Sequence, residues 1–503
     1  MIEPRPTPVS KMVQPDDTRP AIFSDPVTVN GSSSATTLSL LADGTLCWPD
    51  GGQRTLTIDK EVLAFVADGP NIRLKTAVET HVGCCGSGRG TLTRNDLVFR
   101  PSSEESHGLW CQKLGEFIDS LGRPKRLFVF VNPFGGKKAA TDIFRDQVKP
   151  LLEDAQVQLT VQETKHQLHA KEVVSSLDVS KYDGIVCVSG DGILVEVING
   201  LLQRDDWDTA IKTPIGVVPA GTGNGMAKSL LDSVGGTCAV ANAVLAIIRG
   251  HKRSLDVATI KQGGIRYFSV LMLAWGLIAD IDIESEEYRW MGSARIDFYA
   301  LNRVFNLRHY TGCVHFVPAP GFDSYGEPSS YPANSISKGS NNGDQIGVEP
   351  FNSKGLCYQG PEIELENLSW RVLNGPFISV WLHNVPWGAE STMAAPDAKF
   401  SDGYLDLIIV KNCPKLQLLS LLSELNTGGH VKSPYVIYLK VKALILEPGP
   451  RLEKKEKEGI IDVDGEVLAR GKGSYQCDKK ALMAYDKLQI TVDQGLATLF
   501  TPV

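Results

Sequence analysis

The tetrapeptide Ser189-Gly190-Asp191-Gly192 stands directly behind the apolar run Gly184-Ile185-Val186-Cys187-Val188. A β-branched run ending in glycines reads as a buried strand whose C-terminal end opens into a turn, where open α/β sheets bind ligands. The glycines flanking Asp191 let the backbone turn tightly and approach a ligand, and amides there can donate to phosphate oxygens. Phosphate chemistry with a base in place is expected, Asp191 being a bare carboxylate that faces the arriving phosphates.

Two more segments follow the order apolar strand, glycines, helix. Asn132-Pro133-Phe134-Gly135-Gly136-Lys137-Lys138 leaves backbone N–H groups free at a helix N-terminus, which favours anions. Pro219-Ala220-Gly221-Thr222-Gly223-Asn224-Gly225 offers amides, the Thr222 hydroxyl and the Asn224 carboxamide to polyphosphate oxygens. Neither is the Gly-x-x-x-x-Gly-Lys-Ser/Thr loop. Turns at consecutive strand ends converge on one crevice, so the three are read as one phosphate site. After Asp191, residues Leu194, Val197, Ile198, Leu201 and Leu202 form an apolar helical stripe that leaves Glu196 aside. A favourable charge near a helix N-terminus and a functional role are both open for Glu196.

Further along, Asp280 and Asp282 lie two apart on a segment read as extended, which points both the same way. Arg289 and Arg295 could clamp a transferred phosphate with their planar forks. Six apart, they share no helix face, so the chain must bend near Gly292 to bring both to one phosphate. The run from Ile460 to Glu466 alternates apolar and acidic residues and ends in a turn. There Asp464 and Glu466 could reach Mg²⁺ through water or orient an arginine, whereas a plain hairpin would also use Asp-Gly. His166 and His169 find no Cys or acid at metal-ligand spacing, and no Gly-x-Ser-x-Gly elbow supports serine hydrolysis.

What must position these groups is legible in the patterning. At 503 residues the chain exceeds one ordinary core, and about 100 to 200 residues per domain gives two to four units. Residues 1–24 are Pro-rich and polar, read as a disordered arm. Short alternating runs over 25–122 imply a small β-rich module ending in a helix from Leu109 to Leu121. Over 123–253, strand, glycine turn and helix alternate, which implies a mostly parallel sheet with covering helices. From 254 to 503 strands dominate, a second sheet-rich domain carrying a Gly/Ser/Asn/Pro-rich flexible insertion at 319–360. The net charge of −7 argues against a nucleic-acid partner. Ten scattered cysteines fit a reduced, cytoplasmic setting, and the start lacks the order of a secretory signal. The longest apolar stretch, Tyr267 to Ala279, falls short of the ~20 residues that cross a bilayer, so lipid chemistry would be done from a membrane surface or on a molecule extracted into a pocket.

In this order the segments resemble those of the sphingosine kinases, or long-chain-base kinases, in the diacylglycerol-kinase-like superfamily. The resemblance covers about 125–318 and 370–500. Ser-Gly-Asp-Gly and Pro-Ala-Gly-Thr-Gly-Asn are shared across the wider lipid-kinase group, while Asp280 to Arg295 resembles sphingosine kinases more specifically. It implies an α/β nucleotide-binding domain, a β-sandwich lipid domain, and ATP with Mg²⁺ in the cleft between them, to which the C-terminal segment returns. By match of motif, Asn132, Pro133 and Phe134 lie at the ATP phosphates and Thr164 near the nucleotide. Thr222, Arg289 and Arg295 bind phosphate, and Gly465 with Glu466 makes a C-terminal nucleotide contact. Asp191 is the base, Ser189, Gly190, Asp191 and Gly192 line the lipid head group with Gly192 also at the nucleotide, and Asp282 faces the lipid amine. Where Phe134 stands the family often has Arg, which leaves Lys137 or Lys138 as substitute cations. The activity implied is transfer of the γ-phosphoryl group to the primary hydroxyl of a sphingoid base by a protein peripheral to intracellular membranes, a homodimer being open. The alternatives are a ceramide or diacylglycerol kinase, and an inactive lipid-binding adaptor that uses the N-terminal module.

Overall fold

Strand-forming alternation and glycine punctuation build two compact units, divided between Gly122 and Arg123. The computed structural model describes residues 20–50, 52–80, 91–136, 138–292, 294–331, 357–476 and 480–503. In the first unit seven antiparallel strands, from Ala21–Val29 to Thr91–Pro101, make one sheet. Alternate residues Leu38, Leu40, Ile72, Leu74 and Phe99 are buried on one face, against Trp110 and Leu114 of the helix Glu104–Ser120. That helix starts five residues before the expected Leu109, because the Ser103 side chain accepts the Ser106 N–H at 3.1 Å and Glu104 and Glu105 favour the first turn. The arm expected over 1–24 is shorter: Ala21–Ser24 belong to the first strand, paired with Ser39–Leu41, and residues 1–19 lie outside the described residues.

In the second unit the strands Gln158–Glu163, Arg126–Val131, Gly184–Ser189 and Ile215–Pro219 lie side by side in that order, all parallel. Their apolar runs are buried as such sheets require, with Ile185 to Val188 wholly enclosed. The expectation of a mostly parallel sheet needs correction, because the sheet is mixed. Strand Leu488–Phe500 pairs parallel with Ile215 through Leu499 and antiparallel with Lys252–Gln262 and Val436–Arg451. Among the described residues one mixed sheet of sixteen strands therefore runs through both halves. The long C-terminal strand makes this joint: Gly495 bends it at φ 64°, opposite a register shift between Leu255 and Val257.

The second half encloses Leu273, Trp275, Phe316, Leu382, Leu444 and Ile490 in one apolar core. A side-chain bridge ties the halves together: Asn199 of helix Asp191–Leu202 donates to the Phe268 carbonyl at 2.7 Å and accepts its N–H at 3.0 Å. The insertion expected to be flexible over 319–360 is anchored at its far end. Tyr358 is buried between Trp207 and Phe268, its N–H donates to Leu202 O at 3.0 Å, and its hydroxyl donates to Asp493. Residues 332–356 lie outside the described ones. Among the described residues no helix is long and apolar enough to cross a membrane.

His383, on the strand Ser379–His383, is wholly enclosed, and burial pushes its imidazole down to about 3. Its folded value lies below the ordinary one, so the unfolded chain takes up the proton first as pH falls. The stability it contributes is fully present above about pH 6.5 and is lost towards pH 3. The unfolding free energy of wild type in urea should therefore fall more steeply on acidification than that of His383→Gln, by up to about 1.4 kcal/mol per pH unit. Parallel pH profiles would show that this imidazole titrates normally.

Candidate active site

The three glycine bends meet at the C-terminal ends of the parallel strands. A Cβ added to Gly221 would lie 2.2 Å from Gly190 Cα and 2.6 Å from its nitrogen. One added to Gly136, whose φ is +53°, would lie 2.9 Å from Gly221 C and 3.0 Å from Thr222 N. Backbone thus packs on backbone at a distance only glycine allows. Asn132 Oδ1 accepts the Phe134 N–H at 3.0 Å and the Thr164 hydroxyl at 3.3 Å, which fixes the first bend to the end of the neighbouring strand. Thr222 stands exposed at the third bend. Pro133 is half-buried, and Phe134 turns its ring to solvent at 62% exposure. Of the two lysines, Lys138 is exposed, while Lys137 lies outside the described residues.

Asp191 opens its helix directly above these bends, but it is not bare. Its Oδ2 accepts the Gly225 N–H at 2.8 Å and its Oδ1 the Met226 N–H at 3.0 Å, so it caps the helix Gly225–Asp232. The acid is 9% exposed. Burial pushes its proton affinity up, the two amides oppose this, and the charge of Glu390 adds to the rise. Ser189 is buried with its hydroxyl donating to Gly190 O at 2.6 Å, while Gly190 and Gly192 are half-open.

Asn224, expected to offer its carboxamide to phosphate, instead locks its own bend. Its Oδ1 accepts the Gly221 N–H at 2.9 Å and its Nδ2 donates to Gly221 O at 3.1 Å and Glu390 Oε1 at 2.6 Å. Its left-handed backbone, φ 55°, creates this closure. Glu390 is the residue that motif reading missed. Its N–H also donates to Gly223 O at 2.9 Å, and no local pattern signals a partner 166 positions away. Glu196 has a structural role: its two oxygens accept the Leu168 N–H at 2.9 Å and the Ala170 N–H at 3.0 Å at the start of helix His169–Ser176.

Asp280 and Asp282 do not share a side, because Leu277–Glu284 is a helix. Two positions apart on a helix face opposite ways. Asp280 is wholly buried, bound by Arg308 at 3.0 Å and the Tyr310 hydroxyl at 2.7 Å, whereas Asp282 is half-exposed. Arg308 also donates to Glu284 Oε1 at 2.7 Å, and the buried Arg303 lies 3.5 Å from Asp280, so Arg308 serves both enclosed acids and Arg303 backs it at Asp280. Arg308→Met should destabilise the fold by about 3 kcal/mol, the low end of the cost of orphaning buried charge, since 21% of the arginine side chain remains exposed. Chemical denaturation reads this directly; an unchanged midpoint would show that the acids are neutral without it.

Arg289 lies on the 3-10 turn Ser285–Met291, but the expectation for its side chain falls outside the described residues. The chain bends at Gly292, φ 64°, and Arg295 then donates to the Ser285 hydroxyl at 3.2 Å. At the C-terminal hairpin Asp464 and Gly465 both take positive φ, 51° and 82°. Asp464 is not available to Mg²⁺: it accepts the Ser269 hydroxyl and the N–H groups of Val270, Leu271 and Met272, and burial pushes it up to about 7. Glu466 accepts from Gln167 Nε2 at 2.8 Å, which joins this hairpin to the loop beyond Thr164.

Three glycine bends thus converge beneath a buried acid. Residues 126–260 match the diacylglycerol kinase catalytic domain family, and 374–485 match the YegS C-terminal NAD kinase beta sandwich-like domain. Sphingosine kinase 1 of Arabidopsis thaliana is 63% identical over 96% of this chain and 97% of its own length. Sphingosine kinase 2 of the same plant is 62% identical over 92% and 94%. Human sphingosine kinase 1 is 33% identical over 69% of this chain and 87% of its own length. Likeness of that depth, sustained from the β-rich module through the sandwich, shows that the chain belongs to the sphingosine kinase family of diacylglycerol-kinase-like lipid kinases.

Proposed function

We propose that this chain transfers the γ-phosphoryl group of ATP to the primary hydroxyl of sphingosine or a related sphingoid base. The observation that carries this reading is the contact of the Gly136, Gly190 and Gly221 bends beneath Asp191. Residues 123–253 would hold the nucleotide and 254–503 the lipid. Asn132, Pro133 and Phe134 would border the triphosphate and the Thr222 hydroxyl would donate to it, with Thr164, Gly192, Gly465 and Glu466 beside the nucleotide and Arg289 and Arg295 on the transferred phosphate. The cradle that a Cβ would fill fits such a tail. Mg²⁺, which keeps several waters and takes few protein carboxylates, would arrive on phosphate oxygens and neutralise their charge.

Phosphoryl transfer asks for positioning and charge neutralisation more than covalent help, so fixed amides and arginines are appropriate parts. Asp191 would accept the hydroxyl proton, and its raised proton affinity moves it towards the range where a general base works. Ser189, Gly190 and Gly192 would line the head group, and Asp282 would face the ammonium. The lipid would be met at a membrane surface from the cytoplasmic side. Trp290, at 82% exposure, and Phe298, Leu301 and Phe305, exposed at helical spacing on the helix Ala294–Phe305, suit this.

The test is labelled ATP with a panel of lipids. Sphingoid bases should be phosphorylated well above ceramide or diacylglycerol. Asp282→Ala should cut kcat/KM about 10- to 100-fold on amine-bearing lipids alone, as expected for one charge-assisted hydrogen bond. Equal rates across neutral lipids would favour a ceramide or diacylglycerol kinase, and lipid binding without ATP turnover would favour an adaptor.

A further inference from the structure

On the outer face of the sandwich, far along the sequence from any phosphate bend, three residues of metal-binding type come together. Cys313 and His315 lie two apart on strand Tyr310–Pro318, so their side chains share one face, while Val314 and Phe316 enter the core. Glu447 of strand Val436–Arg451 pairs in register with Cys313. The Cys313 sulfur, a His315 nitrogen and a Glu447 carboxylate oxygen all lie within 4.8 Å of one another. We propose that Cys313, His315 and Glu447 form a Zn²⁺ site that clamps these two strands, unrelated to the Mg²⁺ carried with ATP.

The donor set selects the metal. Thiolate, imidazole and carboxylate together suit Zn²⁺, whereas Mg²⁺ and Ca²⁺ take oxygen donors. Zn–S of about 2.3 Å and Zn–N or Zn–O of about 2.0 Å put tetrahedral donors about 3.3 to 3.5 Å apart, so the side chains need to close by up to about 1.5 Å. His315 Nε2 already lies 3.9 Å from Glu447 Oε2. Neither ring nitrogen makes a hydrogen bond among the described residues, and Nδ1 is enclosed. A partly buried imidazole without a hydrogen bond calls for an explanation, and a metal ion supplies one.

The neighbours fit the same reading. Lys487 sits 3.3 Å from Glu447 Oε1, which holds that oxygen and leaves Oε2 turned to the histidine. The Cys313 thiol now donates to Asn374 Oδ1 at 3.2 Å. On binding, its proton leaves to solvent, and a half-turn of the Asn374 amide lets Nδ2–H donate to the thiolate as an outer partner. The fourth position is open to water.

Titrating the full chain, reduced with a phosphine, with Co²⁺ should give one near-ultraviolet thiolate-to-cobalt band per chain, displaced by Zn²⁺. Cys313→Ser should abolish it. His315→Ala and Glu447→Gln should each weaken Co²⁺ binding by more than the tenfold to hundredfold, roughly, that loss of an outer partner costs. Far-ultraviolet dichroism and kinase turnover serve as folding controls, and if the serine variant does not fold, Glu447→Gln decides. No band in wild type, an unchanged band in Cys313→Ser that traces to another cysteine, or unchanged affinity in a folded Glu447→Gln overturns the site.

Discussion

Replacing Asp191 with Asn is expected to lower kcat about 10²- to 10⁴-fold, the usual worth of a positioned general base. The substitution is less innocent than its shape suggests. Asp191 accepts two amide hydrogens at the start of the Gly225 helix, and an Asn can accept with only one of its two terminal atoms. Its NH₂ would confront a backbone N–H, leaving one buried donor unmet at a cost of about 1 to 3 kcal/mol. Two effects must therefore be separated. If Asp191 takes the hydroxyl proton, kcat collapses at temperatures where the variant is folded, and ATP affinity changes only a few-fold. If the acid serves only as a cap, the loss follows the disordered third bend and appears in ATP affinity and in the melting temperature. Near-normal kcat with a sphingoid base in folded protein would sink the catalytic assignment.

The cap explains both what the sequence revealed and what it concealed. Apolar runs ending in glycine at Ser189, Pro219 and Asn132 are local signals, and the parallel strands stand where those signals point. The apolar stripe after Asp191 was equally readable, since Leu194, Val197, Ile198, Leu201 and Leu202 are all buried. What each acid binds was not, because the partners are remote in sequence. Asp191 caps a helix 34 residues later and Glu196 one 26 residues earlier. The helix Leu277–Glu284 was misread for a different reason. Asp280-Ile281-Asp282-Ile283 alternates with the period of a strand, but Arg308 and Tyr310 make a buried Asp280 tolerable, so tertiary neutralisation overrides the local pattern. The joint between the two halves was hidden as well, since nothing in Leu488–Phe500 alone says that it pairs with strands of both.

Gly221→Ala should abolish ATP binding and with it activity, whereas Gly192→Ala should leave the fold intact. The two sit in neighbouring bends and differ in what a methyl group would meet. At Gly221 it would press 2.2 Å from Gly190 Cα and 2.6 Å from Gly190 N, atoms of backbone that no rotamer change can move aside. Overpacking of this kind costs about 1 to 3 kcal/mol or more, and relief requires the two bends to separate. Separation withdraws the amides that a triphosphate would bridge, so binding is lost even where the variant remains folded. At Gly192 no atom lies within 4 Å of an added Cβ, and the site is on a helix, where Ala is preferred over Gly. Its melting temperature should match or exceed that of wild type. If the head group and nucleotide come alongside Gly192, the methyl occupies their space and KM rises in a fully stable protein. A Gly192→Ala variant with unaltered KM for both substrates would move the ligands away from that face of Asp191, and ATP affinity retained by Gly221→Ala would separate nucleotide binding from the contact of the bends.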